Sequence, residues 1–487
     1  MLLLPLFVLI VAAQTAPVAD AVTPPAAPIE APNEVATDEA APVEAAPVDA
    51  APVVETSEPV IQLDRAAAVD EASTAPTAEP PKAIDTPTPP VVDPNAHRWT
   101  VAAVPTATFN TDEGFGTGGV VSLFHHHEGV TPFRNELRFN VFISSKLIQA
   151  HAITWDGIKP FGLQGRVYAR LRYFSTVSQN YCGVGNLVDC APADANAEAT
   201  ARGLVDDADV DTDAYDVFTR RYHLMRFIRP EATLLYRHWL RDKPYRTELL
   251  FGWRGSYTIP GDLEHRGPYP GSRYAKDFPV GEEGLSSVPT VGVIVDDRDD
   301  EVFPMRGFVS EVSVRGGHAF TGSKFPHVGA TAIGAFFFAL STAPRVVLAT
   351  RFIGDVIVGD PSTEELARIG GTIDSIAFGG SAIGRGIREH RYLGKLKFMN
   401  QTELRAQLLD VNVLDQDLSF GTALFSDSAI IGYDIADFRG NPFQPLATVG
   451  VSARVIWNKT FAVRADLATS PNEAAGPGFY IIVNQAF

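Results

Sequence analysis

Along most of the chain, apolar and polar residues alternate one by one. Leu137, Phe139, Val141 and Ile143 interleave with Glu136, Arg138, Asn140 and Ser144. Leu249, Phe251 and Trp253 interleave with Glu248, Gly252 and Arg254, and Leu404, Ala406 and Leu408 with Glu403, Arg405 and Gln407. Val449, Val451, Ala453, Val455 and Trp457, then Phe461, Val463, Ala465 and Leu467, repeat the pattern near the end. Successive side chains of a strand point to opposite faces, so period two predicts strands with one apolar and one polar face. The pattern begins at Trp99 and runs for about 390 residues, which makes the fold class all-β.

Two architectures fit. A soluble sandwich or propeller turns the apolar face inward, whereas a transmembrane barrel turns it to lipid and the polar face to a wet lumen. Three features favour the barrel. The polar face is dense in arginine. Short connections such as Glu128–Pro132 alternate with long ones rich in Gly, Pro and Asp, roughly 183–215 and 259–288. Finally, an apolar strand from Gly478 runs to Phe487, the position of a C-terminal strand signal. The expectation is an antiparallel transmembrane β-barrel of about 16 strands, closed because an open sheet edge cannot sit in hydrocarbon.

Composition divides the chain further. No aromatic residue lies between Phe7 and Trp99, and 16 of the 36 prolines fall between Pro17 and Pro94. That stretch holds 15 carboxylates against Arg65 and Lys82, so 13 of the 18 net negative charges lie in the first fifth. The balance excludes a nucleic-acid binder working by bulk positive charge. Leu2–Ala12 is apolar and ends in the small residues Val11, Ala12 and Ala13. It is shorter than the roughly 20 residues of a membrane-spanning helix, and reads as a signal peptide, with a frayed tail as the alternative. The expected divisions are a signal peptide over 1–13, a disordered Ala/Pro-rich acidic linker over 14–97 and a barrel over 98–487. Cys182 and Cys190, eight positions apart, are a candidate disulfide for an exported chain; free thiols and a metal site are the alternatives.

Four stretches resemble the bacterial surface antigen family of BamA/TamA-type outer-membrane assembly barrels. Pro105–Gly119, with its Asp112–Gly119 run, is similar to the opening hairpin of lone-barrel members. Asp296–Asp300 followed by Phe303-Pro304-Met305-Arg306-Gly307 is similar to a charged turn signature, with Asp297, Arg298, Asp299 and Gly307 as its network. Phe378–Ile387, followed by Asn400–Arg405, resembles an inward-folded loop with an Arg-Gly tip, Arg385-Gly386, and the strand that carries Glu403. Ala423–Asp427 resembles the strand whose Asp427 faces that arginine. The resemblance implies a lumenal lock of Arg385 against Asp427 and Glu403. Departures are Ile387 in place of an aromatic residue, and Ile482 and Gln485 in the last strand. Periplasmic POTRA modules, with their aromatic cores, find no counterpart in the Ala/Pro segment.

Other motifs carry less. Of His125, His126 and His127, only the first and third share a strand face, with no third ligand in view. Asp207, Asp209, Asp211 and Asp213 begin like a calcium loop, but Thr212 and Phe218 stand where Gly and Glu are needed. No nucleophile motif is present, so no enzyme, metal or cofactor is expected. The functional expectation is a barrel of the bacterial outer membrane that aids insertion or translocation of proteins, through the seam between first and last strands. Its partners would be lipid and lipopolysaccharide, client outer-membrane proteins or a periplasmic protein recruited by the linker, and no nucleic acid. The alternatives are a gated channel or structural barrel and, last, a membrane-embedded hydrolase.

Overall fold

The computed structural model describes residues 98–110, 114–127, 130–185, 190–204, 214–301, 303–372, 378–413, 416–433, 437, 444–457, 461–473 and 476–483. The expected signal peptide, the linker, Asp112, Glu113, Asp207 to Asp213, Gln485 and Phe487 lie outside the described residues.

One antiparallel sheet of 16 strands takes up the alternating segments, each strand paired with the next in chain order. The strands are β1 (Arg98–Asn110), β2 (Gly114–His127), β3 (Val130–Ser144), β4 (Gln149–Ile158), β5 (Gly165–Asn180), β6 (Leu224–Arg241), β7 (Arg246–Pro260) and β8 (Gly284–Asp296). They continue as β9 (Gly307–Gly317), β10 (His327–Thr342), β11 (Arg345–Gly359), β12 (Leu396–Val413), β13 (Gln416–Gly432), β14 (Leu446–Trp457), β15 (Phe461–Thr469) and β16 (Gly478–Val483). β16 returns to lie beside β1, which turns the sheet into a barrel. Among the described residues no hydrogen-bonded ladder joins those two strands, so they meet at a seam.

The barrel is inside out relative to a soluble core. Val141, Phe251, Leu404, Val451 and Leu467 are exposed on its outer face, while Glu136, Glu248, Glu403, Arg405, Arg454 and Asp466 are buried toward the lumen. Such an exterior is stable only against an apolar solvent, and buried charges of both signs only where they pair. No helix among the described residues is long and apolar enough to cross a membrane; the crossing is by strands.

Because consecutive strands run oppositely, the connections fall alternately on two rims. Among the described residues, one rim carries 159–164, 242–245, 297–301, 303–306 and 343–344. The other carries the described parts of the long connections after β5, β7 and β11, namely 181–185, 190–204, 214–223, 261–283, 360–372 and 378–395. Short helices among the described residues sit in the long connections, where period-two reading showed only loop: α1 (Pro192–Ala201), α2 (Ala214–Arg221), α3 (Arg273–Asp277) and α4 (Thr363–Ala367).

Candidate functional site

The β11–β12 connection folds into the lumen. Its Ile369, Phe378, Ile383, Ile387 and Tyr392 form a buried apolar cluster with Ile353 of β11, Met399 of β12 and Ile431 of β13. Leu366, Ala367 and Leu393 join a second cluster with Tyr181, Met225, Phe227 and Tyr274, from the connections and strand ends above them. The long connections thus pack over the inserted segment; Gly185 N–H donates to the Leu393 carbonyl at 2.6 Å. Ile387, which departs from the aromatic of the resembled motif, is an ordinary member of the apolar cluster.

At the tip of the insertion the backbone doubles back tightly. Gly379 N–H donates to Ile383 O, and Gly380 N–H to Ile387 O, both at 2.8 Å. This fold aims Arg385 at three strands. Its Nε and Nη2 grip Asp427 Oδ2 and Oδ1 at 3.0 and 2.9 Å. Its Nη1 donates to Glu403 Oε1 at 2.8 Å and to Asp466 Oδ2 at 3.4 Å. The Gly384 and Arg385 N–H groups donate to the same Asp427 Oδ2 at 3.0 and 3.1 Å. The guanidinium also lies 3.4 Å from the centre of the Phe425 ring, a favourable cation–π placement. Burial opposes the charge on Arg385, but Asp427 and Glu403 overcome it and hold its pKa above the ordinary arginine value.

Strand register makes this convergence possible. Gln401 lies opposite Asp427 across the β12–β13 ladder, and its Nε2 donates to Asp427 Oδ1 at 3.2 Å and to the Ala382 carbonyl at 2.9 Å. Glu403 is shared: its Oε2 accepts from Arg405 Nε at 2.7 Å and Arg454 Nη2 at 2.8 Å. Asp466 is also paired with Arg464. Gly386 has φ +96°, and a Cβ there would press on the Ala468–Thr469 peptide at 2.9 Å. Its N–H donates to Tyr480 Oη of β16 at 3.0 Å, so the tip is tied to the last strand beside the seam. Arg385, Gly386, Asp427 and Glu403 are thus brought together.

A second charged anchor was not foreseen. α4 presents Glu364 to Arg229 and Arg368, both at 3.2 Å, and to Ser256 Oγ at 2.8 Å. Glu365 pairs with Arg254 and, at 3.4 Å, Arg315. Arg368 reaches Glu231 at 2.7 Å, and Lys397 Nζ joins Asp355 and the Arg368 carbonyl, both at 2.8 Å. Burial pushes the Glu364 carboxyl up, but Arg229, Arg368 and Arg254 outweigh it and hold the pKa down at about 2. Glu282, half-buried where Thr363 N–H and Oγ1 donate to it, is raised by its loss of solvation. His390, packed against Gln179 with Nδ1 at 2.6 Å, is pushed down to about 3 by burial and then by Arg229, Arg368 and Arg172. The legible signal was the S-T-E-E run at 362–365, a helix-start pattern, beside arginines at inward positions of β6, β7 and β9.

A family model described as the Omp85 superfamily domain matches residues 280–487, the part that supplies the inserted connection, Arg385 and all its carboxylate partners. Over those residues the barrel is similar to that domain. Among solved structures, the chain is similar to BamA from Haemophilus ducreyi lacking POTRA domains 1–3, at 12% identity and TM-score 0.45, over 80% of this chain and 70% of that one. It is similar to CdiB from Escherichia coli at 12% identity and TM-score 0.50, over 80% and 63%. CdiB from Acinetobacter baumannii matches at 12% and 0.45, over 79% and 59%. The chain therefore spans less than two thirds of either CdiB chain, and at such identity the likeness concerns the fold. No curated protein matches the chain.

In the charged turn after β8, Arg298 pairs with Asp296, Nε to Oδ1 at 2.9 Å and Nη2 to Oδ2 at 2.8 Å. Asp299 Oδ1 instead accepts the N–H groups of Met305 and Arg306 at 2.9 and 3.1 Å. Asp297 contributes backbone, its N–H donating to Phe308 O at 2.8 Å. Gly307, at φ +98°, leaves no room for a Cβ against the Asp297 carbonyl.

Cys182 and Cys190 are joined, with Cα atoms 5.2 Å apart. His223 is the neighbour that, with the two sulfurs, makes up a group of three ligand types; the bond between the sulfurs occupies two of them. His125 stacks on Trp99 at 4.7 Å, and His126 bonds Thr100 Oγ1 at 2.9 Å.

Proposed function

We propose that this barrel resides in a bacterial outer membrane, long connections outward, and handles protein substrates there by aiding their insertion or translocation. The observation that carries this reading is the tether from the inserted tip through Arg385 to β12, β13 and β15, and through Gly386 to Tyr480 of β16. A segment so held can brace the wall next to the seam, where β1 and β16, joined by no ladder among the described residues, can part for a client. The superfamily match over 280–487 supports the same reading. The action assigned is mechanical, with no catalytic step. Client outer-membrane proteins, or a periplasmic protein recruited by the acidic segment, are the partners proposed.

The deciding experiment measures insertion of a radiolabelled outer-membrane protein into liposomes, with and without the folded barrel. Faster insertion supports the reading; a heat-modifiable, folded barrel that leaves the rate unchanged overturns it. The second reading, a gated channel or structural barrel, draws on the lumen itself, which the 360–395 connection and two ion-pair networks occupy. Conductance that rises in Arg385→Ala while client insertion stays at background would favour that alternative.

A further inference from the structure

The rim of short connections carries a surface between β3 and β7 that protein handling leaves unused. In the 159–164 turn Phe161 is 90% exposed and Leu163 42% exposed. The Phe161 ring lies 5.9 Å from that of Trp155, which alternates with the lumenal Asp156 and so belongs to the outer face. Lys159 and Phe161 hold φ of +51° and +52°, a left-handed backbone that residues other than glycine adopt only at an energetic cost. The turn therefore holds an exposed aromatic ring on a strained backbone.

Cationic side chains lie along the same turn and the next one. Arg134 Nη2 donates to the Lys159 carbonyl at 3.0 Å, and Lys159 Nζ stands 5.3 Å from the Trp239 ring. Trp239 N–H donates to Gln164 O at 3.0 Å, which ties this turn to the end of β6 and the next turn along the rim. There Arg241 and Lys243 are exposed, with Asp242 between them. Apolar side chains at a membrane boundary, flanked by long cationic ones, match a lipid whose headgroup is negatively charged.

We propose that this rim patch binds the headgroup of an anionic phospholipid in the leaflet it faces. Phe161 and Leu163 enter the acyl boundary, and Arg134, Lys159, Arg241 and Lys243 meet the phosphate. An acidic protein segment would satisfy the cations, but it would leave an aromatic ring on the lipid-facing wall unexplained. The inference rests on the barrel being transmembrane and is independent of protein handling.

The test uses the full chain folded in phosphatidylcholine vesicles, with Phe161→Trp as reporter and equal mole fractions of brominated phosphatidylglycerol or brominated phosphatidylcholine. Read as the difference from the unsubstituted chain, whose five tryptophans set the background, quenching of the introduced indole by brominated phosphatidylglycerol is expected to be about fivefold more effective, the factor for roughly one cation near an anionic surface. Adding Lys159→Gln, Arg241→Gln and Lys243→Gln together should bring the two lipids to parity, with folding verified by heat-dependent gel mobility. Spin-labelled phosphatidylglycerol against phosphatidylcholine on the unsubstituted chain tests the same preference without any variant. Equal quenching by both lipids, or an indole left unquenched in water, overturns the proposal. Displacement of the anionic lipid by a soluble peptide of residues 14–97 would overturn it in favour of a protein occupant.

Discussion

Arg385 and Asp427, 42 residues apart, form a forked ion pair in which Nε and Nη2 address the two carboxylate oxygens at 3.0 and 2.9 Å, and neither side chain is exposed. The same carboxylate oxygen also accepts two backbone N–H groups from the tip of the insertion. One aspartate of β13 therefore fixes both the charge and the backbone of a segment that enters the lumen from the long-connection rim.

Removing one partner strands the other in a buried site, which costs about 3–5 kcal/mol. Arg385→Ala should lower the temperature at which the barrel loses its folded gel mobility and open the 378–395 segment to protease. Asp427→Ala should do the same, and the double variant should cost less than the two singles summed, because it leaves no unpaired charge from this couple. Arg385→Lys, with a point charge in place of a fork, should restore only part of the loss. Wild-type heat resistance in all four would contradict the account.

The parts of the fold legible in the sequence were those that obey a local rule. Glu136 and Phe139, or Arg454 and Val451, declared opposite faces through alternation alone, and those faces proved to be lumen and exterior. The arginine lock was legible only by resemblance, since nothing local links Arg385 to Asp427; the link is made by a turn and a register. Glu364 and Glu365 escaped for the converse reason. Their partners Arg229, Arg254 and Arg315 stand on β6, β7 and β9, far away in sequence, and a five-residue helix leaves too short a periodic signal. The run around Arg298 was legible as one arginine among four acids, but which of them it grips, Asp296, is set by the turn that follows β8.

The α4 anchor should respond to acid. The Glu364 pKa is held at about 2 against an ordinary 4.5, so its contribution is complete above the ordinary value and is lost as pH falls toward 2. Glu282 acts oppositely: its raised pKa favours docking at low pH. Hydrogen exchange in residues 362–368 should accelerate between about pH 4.5 and 2. Glu364→Gln should flatten that dependence, and Glu282→Gln should steepen it. Exchange that is independent of pH over this window, after correction for the intrinsic rate, would remove Glu364 as an anchor.

The Cys182–Cys190 bond closes a short loop beside the lid over the insertion, where Tyr181 Oη donates to Asp277 at 2.8 Å. A loop of that length restricts the unfolded chain by about 2.5 kcal/mol in the chain-entropy account. Cys182→Ser with Cys190→Ser should speed proteolysis within 181–223 and leave barrel mobility on gels unchanged, because the strands do not depend on the loop. A reductant should reproduce the effect in the unsubstituted protein and do nothing further to the double variant.

Adjacent residues on β9 give the sharpest test of which solvent the wall faces. Glu311 is buried in the lumen, where Thr372 N–H donates to it at 3.0 Å, while Val312 points outward and is 59% exposed. If that exposure were to water, Val312→Arg would change stability by no more than about 0.5 kcal/mol. Against hydrocarbon, an arginine near the middle of the wall costs about 2–4 kcal/mol, and less toward either rim. Denaturant unfolding from liposomes should therefore show a large loss for Val312→Arg, and a smaller one for the same change at Val328, which stands second in β10, close to the long-connection rim. Equal and negligible effects at the two positions would mean that the apolar exterior is not in lipid, and would undo every assignment built on the inside-out wall.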